Sequence, residues 1–117
     1  MLIVDDDPMV VRMLKMTFDL EGYTVTTAAD GEEGLRCARE QMPDIILCDI
    51  MMPKLDGLAV TRALKGDAAT KAIPIVLCSA KTSDADVKRG KDAGADDYVT
   101  KPFQVKALAA RIAALLA

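Results

Sequence analysis

The chemistry-bearing residues of this chain share one placement. Asp5 and Asp6 follow the apolar run Leu2–Val4, Asp49 closes the run Ile45–Cys48, Ser79 closes Ile75–Cys78, and Lys101 follows Tyr98–Thr100. Three carboxylates, a hydroxyl and an ammonium thus stand at the ends of short β-rich stretches. Adjacent carboxylates repel unless a cation offsets their charge. Oxygen-only donors suit Mg²⁺, which keeps several waters and needs few carboxylates. A strand-end carboxylate can serve as the nucleophile of aspartyl-phosphate chemistry. A divalent ion would screen its charge and that of an incoming phosphoryl group, while a hydroxyl and an ammonium hold phosphoryl oxygens. Taken singly, each residue has an ordinary role: Asp5 and Asp6 in a solvated turn, Ser79 in a turn, Lys101 as a surface charge. Asp7 reads only as a helix cap. The repeated position makes the others a set.

Such a set meets only if the strands lie side by side and run the same way. The first strand reads Leu2–Val4, and Asp7-Pro8 opens a helix in which Met9, Met13, Met16 and Leu20, with Val10 and Leu14, keep helical spacing. Gly22 stops it. Tyr23–Ala28 alternates and reads as a strand. Asp30-Gly-Glu-Glu opens a helix to about Gln41, and Pro43 blocks its continuation. Strands follow at Asp44–Asp49, Ile75–Ser79 and Asp97–Thr100, and helices at Leu58–Lys65, from Ser83 or Asp84 to near Gly94, and from Gln104 to the chain end. Alternating strands and helices with short connections predict an open parallel α/β sheet, doubly wound, with right-handed crossovers. Runs apolar on both faces, such as Ile45–Cys48, fit a sheet covered by helices on both sides. Ligands of such sheets bind outside the carboxyl ends of the strands.

The 117 residues, 51% of them hydrophobic, suit one domain over residues 1–117 with a true core. A net charge of −3 without a Lys/Arg stripe points away from nucleic acid, and no apolar run has the ~20 residues needed to span a membrane. Three cysteines in apolar settings argue for a reducing, cytoplasmic compartment. The lack of histidine excludes a Cys/His zinc site and a Ser–His triad.

Val4-Asp5-Asp6, the segment Asp49-Ile50-Met51-Met52-Pro53-Lys54-Leu55-Asp56-Gly57, Ser79-Ala80, and Tyr98-Val99-Thr100-Lys101-Pro102-Phe103 together resemble the receiver domain of two-component response regulators. The resemblance spans the whole chain. It implies a flavodoxin-like sheet of order 2-1-3-4-5 and a signalling domain rather than an enzyme. It further implies that Asp49 accepts phosphate from a sensor histidine kinase or phosphotransfer protein. Mg²⁺, with Mn²⁺ as a substitute, would be held by Asp6, by Asp49 and by the Met51 backbone carbonyl, and by Asp5 through water. Lys101 would contact the phosphoryl group, Ser79 would move toward it, and Tyr98 would turn inward behind it. A cis Lys101–Pro102 bond is also implied.

Met51 and Lys81 stand at positions that vary in the family, and we assign them to phosphate lifetime: an apolar Met51 would shield the phosphoryl group from water, and Lys81 would offset that or stay solvated. Lys88, Lys91, Asp96, Lys106 and Arg111 are candidates for a face that meets an output domain or protein, or a second copy on activation. The chain opens directly on its first strand, so a piece of a longer protein is expected. A haloacid-dehalogenase-type phosphohydrolase would need an Asp where Met51 stands, and a non-phosphorylated pseudo-receiver would lack part of the acidic and lysine set.

Overall fold

Five short strands and five helices alternate along the chain: β1 Leu2–Val4, α1 Pro8–Leu20, β2 Thr26–Ala28, α2 Gly31–Gln41, β3 Ile46–Asp49, α3 Gly57–Lys65, β4 Ile75–Ser79, α4 Asp84–Asp92, β5 Asp97–Thr100 and α5 Val105–Leu116. The computed structural model describes residues 1–81, 83–102 and 104–117, so Phe103 of the Tyr98–Phe103 motif lies outside the described residues. The strands form one parallel sheet in the order β2-β1-β3-β4-β5. After β1 the chain steps outward to β2, then crosses back to β3 on the other side of β1. The crevice between β1 and β3 is therefore the switch point, where open α/β sheets hold ligands.

Strand side chains alternate between two cores. Leu2, Val4, Ile46, Cys48, Ile75, Leu77 and Tyr98 pack with Cys37, Ala38, Val60 and Leu64 from α2 and α3. Ile3, Ile45, Leu47, Val76, Cys78 and Val99 pack with Leu14 and Phe18 of α1 and Leu108 and Ile112 of α5. Burial on both faces is why these strands read as continuous apolar runs. The cysteines are all buried and free, and Cys48 and Cys78 belong to opposite cores.

Helix starts follow the capping residues. The carboxylates of Asp7, Asp30 and Asp56 accept from the amides of Met9, Glu33 and Ala59, and Ser83 accepts from Asp86. Each satisfies an amide that the first helical turn leaves without a partner. α2 ends where Met42 turns left-handed at φ 48°, directly before Pro43.

Two predicted strands are shorter than expected, and the one read at Asp44–Asp49 begins only at Ile46. The predicted strand Tyr23–Ala28 shrinks to Thr26–Ala28, because β1 offers only three residues to pair with it. Tyr23 instead lies edge-on against Phe18, with ring centroids 5.6 Å apart. In α1, the spacing of Met9, Met13, Met16 and Leu20 does mark a helix, yet all four are exposed, and the core side is Leu14 and Phe18 with Val10 and Val11. Helical periodicity reports a face without saying which way it points. No helix among the described residues is long and apolar enough to cross a membrane.

Candidate functional site

The sheet register brings the strand ends into line. Pairing of β1 with β3 sets Val4 against Cys48, and the β3–β4 and β4–β5 pairs set Asp49 against Cys78 and Ser79 against Thr100. The ladders run one residue further: the amide of Asp5 donates to Ala28, that of Ile50 to Cys78, and that of Lys101 to Ser79. The polar residues therefore emerge at one edge.

Carboxylate oxygens of Asp5, Asp6 and Asp49 all lie within 4.8 Å of one another. Asp5 and Asp49 are buried, while Asp6 is exposed at the rim. Lys101 Nζ lies 2.8 Å from Asp5 Oδ2 and 3.4 Å from Asp49 Oδ1. Asp5 is further held by the Asp7 amide, which donates to its Oδ1 at 2.9 Å. Burial first, and the neighbouring Asp5 charge next, hold the Asp49 carboxyl above its ordinary value, against the opposing pull of Lys101. For Lys101, burial works against the charge, but the hydrogen bond to Asp5 and the charge of Asp49 prevail and keep the ammonium above its ordinary range. Lys101 thus pairs with two of the three carboxylates. The excess negative charge and the hard oxygen donors fit a divalent cation such as Mg²⁺.

The loop after β3 is closed at its base, where the Gly57 amide donates to Ile50 O at 2.8 Å. A Cβ at Gly57 would lie 2.2 Å from Asp49 O, so only glycine fits beside the strand end. Lys54 turns the loop at φ 69°. Met51 is exposed at the rim and lines, with Asp6, Met52, Lys81 and Tyr98, a cleft of about 480 Å³.

Ser79 is buried, and its Oγ accepts from the Lys81 amide at 3.1 Å. Tyr98 is buried and points inward, its hydroxyl donating to Lys81 O at 2.9 Å. The Lys101–Pro102 peptide is cis. Every sequence-nominated site residue thus lies at this edge or on the cleft beside it. What sequence reading missed is the main chain of Lys81, which joins Ser79 to Tyr98 while its side chain stays exposed. Backbone groups carry no residue-type signature, so no motif could reveal it. Among the partner-face candidates, Asp96 is tied to Lys65 and to the Ile75 amide, and Arg111 to Asp97, so these serve local structure as well as surface charge.

Comparison with known proteins agrees with this geometry. Residues 1–113 match the family model described as the response regulator receiver domain. The chain is 43% identical over 116 residues to the transcriptional regulatory protein AfsQ1 of Streptomyces coelicolor, covering 99% of this chain and 50% of that protein. It is 44% identical over 115 residues to the DNA-binding response regulator MtrA of Mycolicibacterium smegmatis, covering 98% and 49%. The chain spans about half the length of these curated relatives. Among solved structures, a putative response regulator from Chloroflexus aurantiacus superposes with TM-score 0.93 at 36% identity, covering 98% of this chain and 94% of that one. The chemotaxis response regulator CheY4 of Vibrio cholerae superposes with TM-score 0.92 at 33% identity, covering 98% and 96%. Accepting phosphate is the general function of this family, and its members generally bind Mg²⁺ at an acidic pocket. With its sheet order, its acidic edge and a family match along nearly all its length, the chain belongs to the response regulator receiver domains of two-component signalling.

Proposed function

We propose that Asp49 is the phosphoacceptor of this domain and that a phosphohistidine on a sensor kinase or phosphotransfer protein is its donor. An Asp49 carboxylate oxygen forms the bond to phosphorus as the donor's N–P bond breaks, and that electron pair returns to the imidazole. Bound Mg²⁺ supplies charge neutralisation for the carboxylates and the phosphoryl oxygens. Asp6, Asp49 and the Met51 carbonyl would hold it, with Asp5 acting through water; Mn²⁺ would substitute. Lys101, now paired with Asp5 and Asp49, transfers a hydrogen bond to a phosphoryl oxygen. The Ser79 hydroxyl donates a hydrogen bond to another. The phosphoryl group adds nearly two negative charges and three acceptors, so these contacts exist in one state only and shift a two-state equilibrium. The Ser79–Lys81–Tyr98 linkage carries that shift to α4, β5 and α5, the surface read by an output domain or protein or by a second copy.

A protein donor needs a surface beside the cleft. α1 starts at the site's edge and leaves Met9, Met13, Met16 and Leu20 exposed in one stripe, larger apolar exposure than scattered surface residues explain. We assign this stripe to the donor. Residues 1–117 act as one receiver domain in the cytoplasm, where the three free cysteines stay reduced.

The observation that carries this reading is the meeting of three carboxylates and Lys101 at the carboxyl edge of the sheet. Its test is intact-mass spectrometry after incubation with acetyl phosphate, with and without Mg²⁺. Wild type gains one phosphoryl mass only with Mg²⁺, and Asp49→Asn gains none. Failure of wild type both to gain that mass and to bind beryllofluoride overturns the reading.

A further inference from the structure

We propose that Gly31, on α2 and far in sequence from every site residue, is a positioning residue for the metal site. A Cβ at Gly31 would lie 1.9 Å from the backbone oxygen of Leu55, 2.7 Å from its carbonyl carbon and 2.8 Å from its Cβ. The obstacle is mostly backbone, so no rotamer change relieves it. α2 cannot readily retreat. Its first turn is fixed by the Asp30 cap on Glu33 N, and one turn on, Gly34 already sits so close to Val4 that a Cβ there would lie 2.7 Å away. The loop is anchored at its base, where Ile50 N bonds Cys78 O and Gly57 N bonds Ile50 O. Any displacement at Leu55 is therefore taken up between residues 51 and 55, the stretch that carries the Met51 carbonyl. Lys54, 3.6 Å from Asp30, draws the same loop onto the start of α2. The bare backbone of Gly31 thus sets the height of the loop over the acidic edge.

This inference rests on the metal-binding reading of Asp5, Asp6 and Asp49. The test is isothermal titration of the chain with MgCl₂. Gly31→Ala raises the Mg²⁺ Kd at least tenfold. Gly94→Ala, between α4 and β5, strained at φ 108° and crowding Lys65 of α3, lowers stability at a place remote from residues 51–55 and leaves Kd within twofold. Lys54→Met offers a second reading should Gly31→Ala fail to fold. Removing a nearby positive charge would by Coulomb's law tighten Mg²⁺ binding, whereas loss of positioning weakens it about two- to threefold. A folded Gly31→Ala with wild-type affinity, an equal loss in Gly94→Ala, or tighter binding by Lys54→Met overturns the positioning role. A wild type that binds no Mg²⁺ overturns the metal site itself.

Discussion

Replacing Asp49 by Asn should stabilise the metal-free protein and destabilise it relative to wild type once Mg²⁺ is present. The carboxylates of Asp5, Asp6 and Asp49 lie within 4.8 Å of one another. At an effective dielectric constant of about 20, each such pair costs roughly 3.5 kcal/mol. Asp49 takes part in two of these pairs. Against them stands its attraction to Lys101 at 3.4 Å, about 5 kcal/mol on the same scale. The balance is about 2 kcal/mol of net repulsion, and the exposure of Asp6 reduces it to about 1 by solvent screening. Lys101 keeps its shorter bond to Asp5 in the variant, at 2.8 Å, so no cation is orphaned. Asp49→Asn should then gain about 1 kcal/mol in EDTA, roughly 4 °C in Tm for a domain of this size. Mg²⁺ at a hundred times its Kd stabilises wild type by about 2.7 kcal/mol, and a variant that loses one carboxylate donor and with it at least tenfold in affinity gains no more than about 1.4 kcal/mol at the same concentration. The order of stability therefore reverses on adding Mg²⁺. Urea unfolding followed by circular dichroism, in EDTA and in saturating MgCl₂, measures both halves. A variant less stable than wild type in EDTA would refute the reasoning, since it would mean that the Lys101 pairing outweighs the carboxylate repulsion.

Lys101→Ala should retain Mg²⁺ binding, since it removes a competing cation, yet slow phosphoryl uptake from acetyl phosphate at least tenfold; normal uptake by mass spectrometry would contradict its assigned role. Met51→Asn should shorten the phosphoryl half-life by replacing an exposed apolar rim residue with one that can orient water, and an unchanged half-life counts against the shielding idea. Met16→Glu, on the exposed stripe of α1, should slow transfer from a phosphorylated donor protein while uptake from acetyl phosphate stays at the wild-type rate; equal slowing of both would remove the stripe from donor recognition. Phe18→Ala should lower unfolding free energy by about 3–5 kcal/mol, because that ring is fully buried between α1 and the sheet; a loss below 1 kcal/mol in urea titration would show that the site collapses to fill the cavity.

Much of the site was legible because strand ends in a parallel α/β sheet converge. Once Leu2–Val4, Ile45–Cys48, Ile75–Cys78 and Tyr98–Thr100 read as parallel strands, the residues after them had to meet at one edge, whatever the strand order. Asp7-Pro8 and Asp30 announced helix starts because capping is local chemistry, and of the two starts read at Ser83 or Asp84 the cap is Ser83. The order β2-β1-β3-β4-β5 came only through family resemblance, as strand pairing depends on contacts remote in sequence. Four matters were decided by tertiary structure alone. The outward turn of the methionine stripe on α1 depended on which of two apolar faces met the sheet. The length of β2 was limited by its partner β1 rather than by its own alternation. The contact of Gly31 with Leu55 and the joining of Ser79 to Tyr98 through Lys81 are made by or against main chain. Every residue carries the same backbone groups, so sequence names the side chains that can do chemistry, and only the folded chain shows which amides and carbonyls hold them in place.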